Sequence, residues 1–536
     1  MAAIDPYTGV LGLRLAKHLL RRTTFNFSKD TIEEFALLNA DVAVNRLMDF
    51  SGYAYPQGPC DASGTPWLTA SPSSYSNHSG FDANLARLVA KGWINYELYQ
   101  NPTAEAKMAV WLHTCFITAN DGIWEFFEHW RLIFWGIRSN LKLFSEKVTL
   151  DRQMLLYLNN NQNTKTAPNE NYAREFLELF TIRRGQQIGT GNYTNYTESD
   201  IQQAAKVLTG FDCARSEFSN KDAVTGLATG SADYSRHDTT NKTFSSAFGG
   251  RTIVGATSRN DMYRELRDFI DMVFNQVETA RSFVRRAYRF YVSDNLDQAA
   301  ETQIIEPLAQ QLYASGYQVK PMITALLKSR WFYDQDDNNP NDEVIGGKLK
   351  SDIDLRYQTL SFFRIPEQTP INPINDPEEF YRRLWMGIGS EGIQYPASVE
   401  GYPGFYKGPS YSRFWFASSS IVRRYSQVKN FLDGRIGVNA EQYGATIDIV
   451  DFVRNNFVDQ ENAQSLVTQA IDYFLPDSVP QNRFNYFYES FLGSLSPINW
   501  MFEWQGVMGG GDSASVRNSL RRLFNELGSS PEFQVL

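Results

Sequence analysis

The residues best placed to do chemistry lie in the run N-E-N-Y-A-R-E-F-L-E-L-F-T, Asn169 to Thr181. Wound as an α-helix, it puts Tyr172, Phe176, Leu177, Leu179 and Phe180 on one side. Asn171, Arg174, Glu175 and Glu178 fall on the other, at i, i+3, i+4 and i+7. Two carboxylates and a guanidinium then share one polar stripe. Glu175 and Glu178, one turn apart, could work as an acid/base pair or offer oxygens to a divalent metal. Asn169, Glu170, Asn171 and Arg174 would be the binding groups beside them. A plainer reading uses the same spacing. Glu170–Arg174 and Arg174–Glu178 are i,i+4 ion pairs, worth ~0.3–0.5 kcal/mol each on an exposed helix.

The second candidate is His237-Asp238 with Lys242, inside a polar stretch rich in Ser, Thr, Asp and Gly. A loop histidine beside an aspartate could act as a general base, and Lys242 could hold an anion. The simpler alternative is a turn held by the aspartate side chain. Only five histidines exist: His18, His78, His113, His129 and His237. A multi-histidine metal site would need most of them. His113 is the histidine that could join Glu175 and Glu178 on a metal, although its neighbours Trp111, Leu112 and Phe116 suit a hydrogen-bonded core histidine better. Glu125 and His129 have chelating spacing but no H-E-x-x-H context.

A third feature is the Gly- and Pro-rich loop from Tyr395 to Trp415, with Tyr402, Phe405, Tyr406 and Tyr411 between. Its rings could stack a glycan or receive a partner chain, or simply pin the loop to the core. Arg281, Arg285 and Arg289 would share one helix face, with Arg286 next to it, and read as a solvated or salt-bridged surface. No G-x-S-x-G elbow, phosphate loop, dinucleotide fingerprint or calcium loop is present.

The elements that must hold these residues are helical. The first helix spans Leu13 to Arg22 and contains His18. Residues 28–50 read as a helix or helix pair, with Asp30 and Glu33 as a capping box. Residues 51–80 read as a long loop, and three- and four-residue apolar spacing dominates from there to Arg184. Residues 185–197 suit a loop or small hairpin. Thr197 then caps a helix whose apolar face is Ile201, Ala204, Ala205 and Leu208, and Gly210 stops it. The polar insertion at 211–258 could carry short strands at Lys242–Phe248 and Arg251–Val254. Helices resume near 260, and a Pro- and Asn-rich break at 334–342 follows. The expected fold is mainly α, a large irregular multi-helix globule with long loops and at most a small β-hairpin. A helical body over 1–335 would carry the 169–181 motif, and a helical region over 345–536 would pack on it, the two forming one compact body with a looser division near 335–345.

With 536 residues, 42% hydrophobic and 14% aromatic, the chain can bury a large core. A net charge of −9 gives no footprint for nucleic acid. Three widely spaced cysteines (Cys60, Cys115, Cys213) exclude a disulfide framework or zinc ribbon. There is no run long and apolar enough to span a membrane. The opening residues lack the pattern of an export signal, which makes the cytoplasm the default expectation.

The 169–181 run follows L-Y-L-N-N-N-Q-N-T-K-T-A-P and precedes Y-T-E-S-D-I-Q-Q-A-A-K-V-L-T-G. Elsewhere stand K-H-L-L-R-R-T-T-F, W-L-H-T-C-F, R-H-D-T-T-N-K-T-F, Y-P-A-S-V-E-G-Y-P-G-F and S-S-P-E-F-Q. In this order they strongly resemble a bacterial family known as "domain of unknown function 1800", along nearly the whole chain. The resemblance carries no established activity. It implies a genomic neighbour, an exported sulfatase-like protein, and through it envelope or surface-polysaccharide work. Many relatives carry an export signal and a histidine where this chain has Phe180, a departure that counts against a metal site on that helix. Three functions follow as expectations: an accessory or binding role with that exported partner, a hydrolase using the paired glutamates and the loop histidine, or a structural assembly subunit.

Overall fold

The computed structural model describes residues 2–53, 83–119, 122–213, 219–337, 343–364, 396, 398–433 and 447–536. Most of the expected 51–80 loop, with His78, and Tyr395 lie outside the described residues, as does much of the 334–342 break. The chain is mainly α-helical, as its apolar spacing requires. Among the described residues its β structure is three two-stranded antiparallel ladders. Gln187–Gly189 pairs with Asn192–Tyr193 in the 185–197 segment. Lys242–Thr243 pairs with Thr252–Ile253 within the polar insertion. The third pairs Phe211–Asp212 with Ser231–Ala232, where the sequence suggested no strand. Two or three residues per strand are too few to show alternation in sequence.

Helix starts follow local chemistry. Thr197 caps Glu198–Val207 through a reciprocal box with Asp200, and Gly210 (φ 78°) ends that segment in the left-handed region. Residues 28–50 do form a helix pair, Lys29–Ala36 and Ala40–Leu47, but Ser28 with Thr31 makes the capping box, not Asp30 with Glu33.

Among the described residues, beside a small third cluster of Ile117, Tyr402 and Trp415, two large apolar cores meet on one helix, Asp352–Phe362. Its Ile353, Tyr357 and Leu360 join the larger core, while Leu355 and Phe362 join the core of residues 355–533. Val344 and Ile345, beside the expected break, already belong to the larger core. Every residue of Asp352–Phe362 is buried, so its polar groups must find partners inside. Asp352 takes Arg424 at 2.7 Å, Asp354 takes Lys107, and Gln358 bonds the Arg21 carbonyl at 3.0 Å.

The first helix, Gly12–Thr23, ties the two cores together. Lys17 donates to the Leu475 carbonyl at 3.1 Å and Arg21 to Phe474 at 2.9 Å. Both carbonyls close the Ala463–Phe474 helix, where cations are favoured. Arg22 reaches the Val344 carbonyl at 2.7 Å. His18, on the same helix, is buried with Nε2 2.8 Å from the Phe332 carbonyl.

Candidate functional site

The 169–181 motif is not one regular helix. Asn171–Glu175 is α-helical, and Phe176–Phe180 widens into a π turn. The turn closes with the Thr181 amide donating to the Phe176 carbonyl at 3.0 Å. A π turn adds one residue to the ring and so offsets all that follows it; such turns gather at functional sites. The apolar side forms as expected: Tyr172, Phe176, Leu177, Leu179 and Phe180 are buried.

The polar stripe divides. Arg174 pairs with Glu170 at 3.1 Å and with Glu198 at 3.0 Å. The expected Arg174–Glu178 pair is absent, because the offset turns Glu178 inward. There it accepts from the Tyr196 hydroxyl at 3.1 Å and pairs with Arg184. Asn169 and Asn171 anchor the helix start, donating to the Asn159 and Leu158 carbonyls at 3.3 and 3.2 Å.

Glu175 is half-buried and has neither a hydrogen bond nor an ion pair among the described residues. Burial pushes its carboxyl above the ordinary 4.5, Glu400 adds to the rise, and Arg174 and Arg184 oppose it. Between 4.5 and the raised value the folded state keeps a proton that the unfolded chain has released. Stability therefore falls as pH rises through that window. Glu175→Gln removes the penalty, so its melting temperature relative to the wild type should be higher at pH 8 than at pH 4. Thermal melts at both values check this, and an equal or reversed gap refutes it.

Beyond the π turn, Arg183 adopts the left-handed region at φ 66°. Leu179, Phe180 and Arg183 form one wall of a cavity of ≈ 290 Å³. The facing wall is the Val277–Tyr291 helix, which contributes Ser282, Arg285, Arg286 and Arg289. Thr114 and Cys115 come from the end of helix Glu105–Cys115, and the 398–411 segment adds Glu400, Tyr402, Phe405, Tyr406 and Tyr411. Four guanidiniums thus face two carboxylates, Glu278 and Glu400.

These cations are used differently. Arg285 is neutralised by Glu278 and by Glu301 at 2.7 Å, as is Arg281 outside the cavity by Glu306 at 2.7 Å. Arg286 spends its donors on the carbonyls of Phe180 (2.8 Å), Leu179 (3.3 Å) and Cys115 (3.3 Å), and lies over the Phe283 ring. Arg183 and Arg289 have no carboxylate ion pair among the described residues. Arg289 stacks on Tyr411 at 4.8 Å, with its buried Nε unpartnered. Burial and the neighbouring Arg289 charge pull Arg183 below the usual guanidinium range.

The remaining sequence candidates lie elsewhere. His237 is fully buried, not on an exposed loop: Nδ1 lies 2.7 Å from the Thr209 carbonyl and Nε2 3.2 Å from Glu265. Lys242 is equally buried and gives its ammonium to the same Glu265 oxygen at 2.7 Å. It is therefore not free to hold an anion. Asp238 accepts from the Thr240 amide at 2.8 Å, the turn-holding role. The insertion closes over the Arg259–Phe274 helix, whose buried Glu265 needs those donors. No contact joins His237 to Glu175 or Glu178.

His113 stacks on Trp130 at 4.7 Å in the core. Among the described residues no group of three or more His, Cys, Asp or Glu side chains is placed to hold a metal. Trp415 is buried beneath Gly404, where a Cβ would come within 2.3 Å of the indole, so it pins the loop. Tyr402 is also buried, at the cavity edge. The cavity's cations were not marked as a site in the sequence. Arg183 stands outside the helical pattern, and Arg286 and Arg289 looked like their ion-paired neighbours.

The protein is thus a mainly α-helical chain, with no helix among its described residues long and apolar enough to cross a membrane, holding an arginine-lined cavity. It belongs to the family described as protein of unknown function (DUF1800), which it matches over residues 18–535. No curated protein and no solved structure matches it.

Proposed function

We propose that the protein is a binding protein that takes an anion in the arginine-lined cavity. The observation that carries this is the pair Arg183 and Arg289: two guanidiniums lining one cavity, one bonded to the Leu179 carbonyl and one stacked on Tyr411, with no carboxylate ion pair among the described residues. Guanidinium forks suit carboxylate, sulfate and phosphate oxygens. Such a role fits the accessory part in envelope or surface-polysaccharide handling, alongside an exported sulfatase-like partner, that the family resemblance implies. The hydrolase reading needs Glu175, Glu178 and His237 in one pocket, and their separation favours binding over it.

The test compares sulfate with chloride at matched ionic strength, because sulfate also stabilises proteins nonspecifically. Sulfate should raise the melting temperature of the wild type more than that of Arg183→Ala/Arg289→Ala. Titration calorimetry should show each single substitution weakening sulfate at least tenfold, about 1.4 kcal/mol. Arg14→Ala, whose partner Asp477 does not line the cavity, should leave affinity unchanged. Equal sulfate responses in the wild type and the double variant would refute the anion site.

A further inference from the structure

We infer that Tyr411 is a positioning residue of this cavity: its ring holds the Arg289 guanidinium in place before the anion arrives. The inference rests on the anion reading above and adds what orders one of its two guanidiniums. An arginine with no carboxylate keeps its rotamer freedom unless packing removes it, and otherwise the ligand must order it on binding. Here the packing is visible. The Arg289 guanidinium lies over the Tyr411 ring, 4.8 Å from its centroid, and both residues line the cavity. A guanidinium covered on its face still presents its in-plane N–H groups, the edge that takes an oxyanion.

The ring is itself held, and under strain. Tyr411 sits in the left-handed region at φ 38°, which a bulky residue rarely adopts. Such strain persists only where the surroundings impose it, and it gathers at functional positions. Three contacts fix the backbone and the ring here. The Ser412 amide donates to Asp294 at 2.9 Å, just past the helix that carries Arg289. The Leu349 amide donates to the Ser412 hydroxyl at 3.2 Å. Gly408 lies so close to the phenol that a Cβ there would come within 2.8 Å of its hydroxyl. A glycine at 411 would relieve the strain but leave Arg289 without a surface to lie on.

The experiment is a double-mutant cycle on the intact chain, read by titration calorimetry with sulfate. Tyr411→Leu and Tyr411→Gly both remove the ring, and glycine also accepts the left-handed backbone. Each should weaken sulfate about fivefold, the scale of a cation–π contact. Tyr411→Phe keeps the ring face and should recover most of that affinity. In the Arg289→Ala background the same substitutions should weaken sulfate no further, because the ring acts through that arginine. A weakening that persists undiminished without Arg289 would overturn the inference, since a general disturbance of the cavity produces it. Leu and Gly variants that bind like the wild type, or a Phe variant as weak as they are, would overturn it too. All these failures leave the anion site standing, whereas a wild type that binds no sulfate would overturn both. Thermal melts verify folding, and either ring-free variant alone decides.

Discussion

Glu265→Ala should destabilise the protein by about 3–5 kcal/mol, the usual effect of removing one partner from a buried ion pair. Glu265, His237 and Lys242 are all fully buried, and both nitrogens address the same carboxylate oxygen. The His237 Nδ1 must carry a proton, because its 2.7 Å partner is a carbonyl that can only accept. Its Nε2 faces Glu265 at 3.2 Å. The Lys242 ammonium, whose pKa burial lowers and Glu265 raises, has only this carboxylate as an ion-pair partner among the described residues. With the carboxylate gone, an ammonium is stranded at zero exposure.

Urea denaturation checks the magnitude. A loss under about 1 kcal/mol would mean that the cluster holds its charge some other way. Glu265→Leu/Lys242→Met, which removes both charges, should recover most of the loss, since apolar replacements of buried pairs are often close to neutral. His237→Ala should also lower stability yet retain sulfate binding below its melting temperature. Loss of binding in a folded His237→Ala protein would place that histidine back in the site.

How far the sequence reaches is clear from these same residues. Helices and their caps are local: Thr197, Asp200 and Gly210 act within one segment, so their pattern is legible. The apolar side of 171–180 is legible for the same reason. The fate of Glu178 is not, because a π turn depends on tertiary packing and shifts the register without changing composition. His237 looked exposed because its neighbours are polar. Its burial depends on Glu265, 28 residues away, a pairing no spacing rule signals. The cavity is the least legible feature. Arg281, Arg285, Arg286 and Arg289 stand together in sequence. Whether each meets a carboxylate, a carbonyl or open space is decided by Glu301, Glu306, the π turn and the tyrosine loop, which come from distant segments.

Arg286 is where motif, cavity and core meet, and Arg286→Met should cost about 3 kcal/mol or more. Burial lowers its pKa to about 10, which still leaves it charged at neutral pH. The guanidinium caps two helical ends at once, bonding Leu179 and Phe180 at the close of the π turn and Cys115 at the close of Glu105–Cys115. Such terminal carbonyls have no partner within their own helix and suit a cation. Methionine matches much of the stem but none of the donors. The Phe180 and Cys115 carbonyls would lose this donor at roughly 1–3 kcal/mol each, while the Leu179 carbonyl keeps a longer bond from Arg183.

The consequence for binding separates two roles. If Arg286 only shapes the wall, its loss lets the π turn move, and Arg183, three residues beyond Phe180, leaves its place opposite Arg289. Sulfate affinity should then fall at least tenfold in Arg286→Met, while Arg286→Lys, keeping the charge and some of the carbonyl bonds, should recover part of both stability and affinity. Full stability with lost affinity would instead make Arg286 a direct ligand of the anion. Lost stability with affinity unchanged would show that the π turn holds Arg183 without it. Chemical denaturation and calorimetry on the same three proteins read both quantities, and the pattern across them, more than either value alone, shows whether this arginine builds the cavity or occupies it.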